Sequence, residues 1–236
     1  VRLEPVKQMR KDVDLWPMIA EAKTPAELRV NATLTRLNAR LGRSVRECDA
    51  GYRAALKDMG ALAKDQAPVE QDWTRTLEVT MRGPRYLSMV VTDSADCGGA
   101  HPNSGQMALV FDMTTGTPVN WLALMPKAVG AKAFSDTVMD GSTAGAVILP
   151  ALQKMYVAAA DPECKDAFDD QVPMMLWPDA AKGTLVAVAF DMSHAVEACA
   201  DPMDVSMADA RRLGFDEEFL REIEAAHAQT VPQLKH

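Results

Sequence analysis

The sequence predicts an α+β fold: an antiparallel sheet packed by a long N-terminal helix, followed by a C-terminal half of mixed helices and strands. Three observations carry this. An apolar stripe of helical period runs from Leu34 to Met59. The period changes to two beyond Pro68, and later short apolar runs are separated by proline and glycine turns, without βαβ alternation.

The first twenty residues read as extended, since Pro17 disfavours helix at Trp16. Thr24-Pro25-Ala26-Glu27 is a helix start: a threonine cap, proline at the first helical position and a capping-box glutamate. Leu34, Leu37, Leu41, Val45, Cys48, Tyr52, Leu56 and Met59 follow at steps of three and four, one face of one helix. Gly42 offers a C-terminal cap and Ser44-Val45-Arg46-Glu47 a second capping box. The stripe keeps its phase across Gly42, however, so one long helix, straight or kinked there, is the favoured reading.

Trp73, Leu77, Val79 and Met81 then alternate with Thr74, Thr76, Glu78 and Thr80. The turn Arg82-Gly83-Pro84-Arg85 leads to Leu87, Met89 and Val91, completing a hairpin. A glycine-rich loop, 97–105, precedes a third strand holding Met107, Leu109, Phe111 and Met113. Val119 to Leu122 is expected to pair back after Thr114-Thr115-Gly116. From Pro126 to Ala160 the pattern is loosely helical, firmest after Pro150, with a short helix at Pro162 containing Cys164. Met174–Trp177 and Thr184–Met192 read as strands. Ser206 and Asp209 cap a short helix ended by Gly214, and Asp216 caps the last one, with Phe215 and Leu220 as its hydrophobic staple. Two lobes, 1–105 and 106–236, sharing one sheet, are the expected division.

Composition bounds the function. Of 236 residues 48% are hydrophobic and 25% charged, which fits a folded domain. No apolar run reaches membrane-span length. The formal net charge of −8 argues against nucleic acid as a partner. That charge is polarised: the first 57 residues carry twelve basic and seven acidic side chains, the remainder thirteen and twenty-six. Arg29, Arg36, Arg40 and Arg43 line one flank of the long helix, either as a solvated face or toward an anionic glycan, lipid head group or acidic protein.

Cys48, Cys97, Cys164 and Cys199 are dispersed, with no Cys-x-x-Cys and no nearby histidine pair, so neither a zinc site nor a thioredoxin-like motif is indicated. Their even number fits an oxidising compartment; four free buried thiols in a cytosolic protein are the alternative. Val1 in first place is expected to reflect a removed signal peptide or lipoprotein anchor, or trimming. Four cysteines allow three pairings. Cys48 lies on the buried helix stripe and Cys97 just beyond the second hairpin strand, while Cys164 and Cys199 bracket the C-terminal strands. We therefore expect Cys48–Cys97 and Cys164–Cys199.

The most distinctive segment is Asp96-Cys97-Gly98-Gly99-Ala100-His101-Pro102-Asn103. Paired glycines let such a loop bend sharply or approach a ligand. His101 and Asn103 are the candidate ligand-binding residues. A Cys97–His101 nucleophile and base would need a free thiolate. His101, His194 and Asp112 are conceivable metal ligands, though no spacing demands one. No catalytic motif is present, so neither a cofactor nor a metal is expected.

That run, followed by Leu109-Val110-Phe111-Asp112 and Thr115-Gly116, resembles an exported domain of unknown function. The domain occurs in the ectodomains of lysozyme-sensing anti-sigma factors and beside some peptidoglycan deacetylases. Pro17-Met18-Ile19 before a helix holding Asn31 is similar to the family's N-terminal lobe. Leu176-Trp177-Pro178 through Leu185, with His194 and Cys199-Ala200, is similar to its C-terminal part. The resemblance implies export, an α+β fold and binding at the cell envelope, with lysozyme as one family ligand. No cytoplasmic sigma-binding segment, membrane helix or deacetylase domain is seen, and no family contact residue can be transferred. The expected function is a non-catalytic envelope-binding module, periplasmic or extracellular, for a protein or cell-wall glycan. A hydrolase of envelope polymers working through the His101 loop is the alternative.

Overall fold

The structure is a computed structural model that describes residues 1–59, 73–98, 102–134, 145–168, 171–190, 192–193 and 196–230. Its fold is α+β, with antiparallel sheets, as the sequence predicts. The chain divides into two compact units. One comprises Arg2–Glu78 and Val90–Met107; the other comprises Val1, Val79–Met89 and Ala108–His236. Among the described residues, no helix is long and apolar enough to cross a membrane.

The first unit is organised by α1, Pro25–Met59, a helix of 35 residues. Its start is the expected reciprocal cap. Thr24 Oγ1 accepts from the Glu27 amide at 3.1 Å, and Glu27 Oε2 accepts from the Thr24 and Lys23 amides, each at 2.9 Å. Those amides, Thr24's first, hold the Glu27 carboxyl below its ordinary range. Val30, Leu34, Leu37, Leu41, Val45 and Cys48 are all buried, each contributing roughly 1.5–3 kcal/mol if fully removed from water. The helix continues through Gly42. A Cβ there would lie 3.0 Å from the sulfur of Met9, so the glycine admits the N-terminal segment against the helix instead of capping it.

That N-terminal segment is held by two asparagines seven residues apart on α1. Asn38 accepts from the Trp16 amide at 2.9 Å and donates to the Trp16 carbonyl at 2.8 Å; Asn31 does the same for Ile19 at 2.8 and 3.0 Å. Each carboxamide thus stands in for a neighbouring strand. The extended segment itself forms β1, Leu3–Glu4, paired with β2, Met18–Ile19. Replacing Asn38 by alanine removes both bonds at Trp16, whose side chain is buried. The expected cost is about 2 kcal/mol, read as a lower urea midpoint at unchanged slope.

The sheet order β3-β4-β5-β6 comprises Trp73–Arg82, Tyr86–Ala95, Asn103–Asp112 and Thr117–Pro118. Both units draw on its first three strands. The link of residues 83–85 is far too short for a parallel crossover and makes β3–β4 a hairpin, closed by Gly83 donating to Tyr86 at 2.9 Å. The return strand is earlier and shorter than Val119 to Leu122. Asn120 Oδ1 takes the amides of Leu122 and Ala123 and turns the chain out of the ladder.

The second unit holds a five-stranded sheet ordered β11-β10-β9-β8-β7. Here β7 is Lys132–Ala133, β8 Val147–Ile148, β9 Met174–Asp179, β10 Thr184–Ala189 and β11 Met203–Val205. Five of the six β10 residues and all six of β9 are buried, which is why these runs are apolar on both faces. Pro178 is tolerated in β9 because β8 pairs with that strand only at Met174. Among the described residues of 126–160 the helical reading holds only for α2, Pro150–Ala159; the earlier described residues supply the short strands β7 and β8, a correction. A 3₁₀ turn, Pro162–Ala167, contains Cys164.

Ser206 caps α3, Met207–Leu213, which ends at Gly214. Asp216 Oδ1 accepts from the amides of Glu218 and Phe219 at the start of α4, Glu217–Thr230. Fully buried Phe219 is the centre of an aromatic cluster, with Tyr86 at 5.0 Å, Trp121 at 5.8 Å and Phe215 at 6.3 Å between ring centroids.

Candidate functional site

Both cysteine pairs are bonded as expected: Cys48 to Cys97 and Cys164 to Cys199. The first bridge ties α1 to the segment leaving β4, so the glycine loop begins from a fixed point. Gly98 adopts φ 81°, and a Cβ on it would come within 2.8 Å of the Ala55 Cβ and 3.0 Å of the Tyr52 Cα. Only glycine satisfies both the left-handed backbone and this approach to the helix. Asp96 Oδ1 accepts from the Gly98 amide at 2.9 Å, tightening the turn.

Asn103 opens β5 with its side chain exposed, as a ligand contact requires. His101, the other candidate, lies outside the described residues, as does His194. Cys97 cannot serve as a nucleophile, because its sulfur is spent on Cys48. Asp112, weighed as a metal ligand, is already committed. It accepts from the Thr114 amide at 2.8 Å and hydroxyl at 2.6 Å, and lies 3.4 Å from the Arg85 guanidinium. Partial burial raises its pKa, but the Thr114 bonds and Arg85 outweigh that, leaving it below the ordinary value. Among the described residues no three His, Cys, Asp or Glu side chains are placed to hold a metal ion.

Two features escaped the sequence reading. In the second unit, a cavity of about 250 Å³ lies beside the Cys164–Cys199 bridge, walled by Tyr156, Ala159, Asp161, Met203 and both cysteines. Tyr156 stacks edge-on to Phe168 and donates to the Asp201 carbonyl at 2.6 Å. Burial raises its pKa, which keeps the phenol a donor. In the first unit, Arg75 is 95% buried, hence desolvated, and pairs with Asp93 at 2.8 Å. Its guanidinium carbon stands 5.3 Å from the Trp16 ring centroid, and Trp73 Nε1 donates to the other Asp93 oxygen at 3.0 Å. Burial, partly offset by Asp93, lowers the Arg75 pKa. The signal was available: Arg75 falls in phase with Trp73 and Leu77 on the apolar side of the alternation.

These elements define a class: an α+β domain with two disulfides and a clamped glycine loop. No protein-family model and no curated protein sequence matches the chain. Its fold is similar to that of a crystallised member of the DUF3298 family from Bacteroides fragilis, with a TM-score of 0.54 and 11% sequence identity. The match covers 90% of this chain and 87% of that one. The likeness is one of fold.

Proposed function

We propose that this chain is a non-catalytic binding module of the cell envelope whose ligand is a protein such as lysozyme or a cell-wall glycan. The observation that carries this reading is the Cys48–Cys97 bridge. It removes the one thiol that would make the glycine loop reactive, and fixes the loop's base on a 35-residue helix. Asn103, exposed at the start of β5, and His101 are the residues to which we assign the contact. Both cysteine pairs being bonded supports an exported, periplasmic or extracellular location. The resemblance of the Cys97–Asn103 run to the ectodomains of lysozyme-sensing anti-sigma factors points the same way.

The test is saturable binding of the oxidised full chain to immobilised lysozyme and, separately, to purified peptidoglycan. One bait is expected to bind, and His101→Ala combined with Asn103→Ala to weaken it at least about tenfold, a loss of about 1.4 kcal/mol. Binding to neither bait would refute the reading. Cleavage of peptidoglycan that is lost in His101→Ala would replace it with the hydrolase.

A further inference from the structure

The exposed side of α1 is a strongly basic surface on an acidic protein. Its exposed residues include Arg29, Arg36, Arg43, Arg46, Arg53 and Lys57, against two exposed acids, Glu47 and Asp58. At about 100° per residue, the six basic side chains fall within an arc of about 120°, and both acids lie at one edge of it. The remaining acids of the helix are otherwise engaged: Glu27 in the cap, and Asp49 at 3.6 Å from Arg10. Among the described residues Arg36 bonds only the neutral Thr33 hydroxyl, at 3.0 Å. Among the described residues, no carboxylate lies within ion-pair distance of Arg36, Arg43, Arg46 or Arg53, so these guanidinium groups are not neutralised by their own fold.

The form of the row selects among anions. It runs along a helix about 50 Å long, with Arg36 and Arg43 about 10 Å apart along the axis, which suits a chain-like ligand. Five of the six groups are arginine, whose planar fork matches phosphate oxygens in pairs. Between them lie exposed Ala32, Thr35, Ala39, Ala50 and Ala54, small enough to let a polymer lie along the helix. A bilayer-inserting helix would bring large apolar side chains to this face, and only Leu28 does so. A single-stranded nucleic acid would need aromatic platforms for its bases, and the arc has none.

We propose that this arginine face docks a linear, non-nucleic polyanion bearing phosphate groups. The side chains varied to test this surface are not those varied to test the glycine loop, so the two assignments can fail separately. The probe is long-chain inorganic polyphosphate, titrated against the intact oxidised chain at several salt concentrations. Phosphatidylglycerol vesicles and a thymidine oligonucleotide form parallel arms. Polyphosphate is expected to bind best. The triple variant Arg36→Glu/Arg43→Glu/Arg46→Glu should bind at least about tenfold more weakly, with the slope of log affinity against log salt reduced by about 2. All three side chains are exposed, so the melting temperature should hold; Arg→Gln at the same positions provides a milder second variant. Lys127→Glu/Lys132→Glu/Lys154→Glu makes the same change in net charge elsewhere and should retain binding. The proposal is overturned if polyphosphate fails to bind, if neither helix variant weakens it, or if the lysine variant weakens it equally. Tighter binding of vesicles or oligonucleotide than of polyphosphate would overturn it as well.

Discussion

Alanine at both Cys48 and Cys97 is expected to lower stability by about 4 kcal/mol, the largest effect of any local change in this molecule. The bridge spans 49 residues, and the entropy of closing such a loop in the unfolded chain sets that figure. Stability of a domain this size is typically only about 5–15 kcal/mol, so the variant would be marginal at physiological temperature. The bridge also holds the start of the glycine loop against Gly51, Tyr52 and Ala55. Losing it should therefore relax the segment around Gly98 before the rest unfolds. Urea denaturation of the double variant checks the size, and amide exchange at residues 96–98 checks the order. A midpoint within error of the wild type would show that packing of α1 holds this region without covalent help. The Cys164–Cys199 bridge spans 35 residues and should be worth nearly as much, since the loop term varies only logarithmically with length.

What was legible in the sequence depended on how local its cause was. The 35-residue helix could be read because its cap, its period and its phase across Gly42 all lie within one segment. The short helices after Ser206 and Asp216 were legible for the same reason, each announced by the residue that accepts its first free amides. The disulfide pairing followed once helix and hairpin were placed, because their positions left Cys97 a partner on the buried stripe. The short strands β7, β8 and β11 had no such signature. Two or three residues cannot display a period, and their pairing is decided by distant partners such as Ile148 for Lys132 or Leu185 for Val205. At Gly42 the continuity of the helix was legible but not the reason for a glycine, which is to admit Met9, 33 positions earlier in the chain. Of the candidate site the sequence named His101 and Asn103; the disulfide at Cys97 decides which chemistry that segment can have, while His101 lies outside the described residues.

Arg75 shows the same limit from the energetic side, and Asp93→Ala is the second large effect expected. The guanidinium is 95% buried and its Nε has no partner, so Asp93 and the Trp16 ring carry its compensation. Removing the carboxylate leaves a positive charge in a poorly solvated place and strips the Trp73 indole N–H of its acceptor. Breaking one side of such a pair costs about 3 kcal/mol, tempered because Asp93 retains some contact with water. Asp93→Asn should cost less, since the amide oxygen still accepts from Trp73. Arg75→Met combined with Asp93→Ala should recover much of the loss: once the buried charge is gone the missing carboxylate no longer matters, and a methionine fills the space beside Trp16. Chemical denaturation of the two single variants and the double closes a thermodynamic cycle whose coupling term measures the pair. A coupling near zero would mean that the N-terminal segment is held to β3 without help from the ion pair, by its backbone pairing and by the Leu77 amide donating to Asp14 Oδ2 at 3.1 Å. That pairing is present, with the Arg75 amide donating to Asp12 at 2.8 Å and its carbonyl accepting from Asp14 at 3.0 Å. The backbone bonds fix where the strap lies. The buried ion pair makes that position costly to leave, because any excursion of Trp16 uncovers the guanidinium it shields.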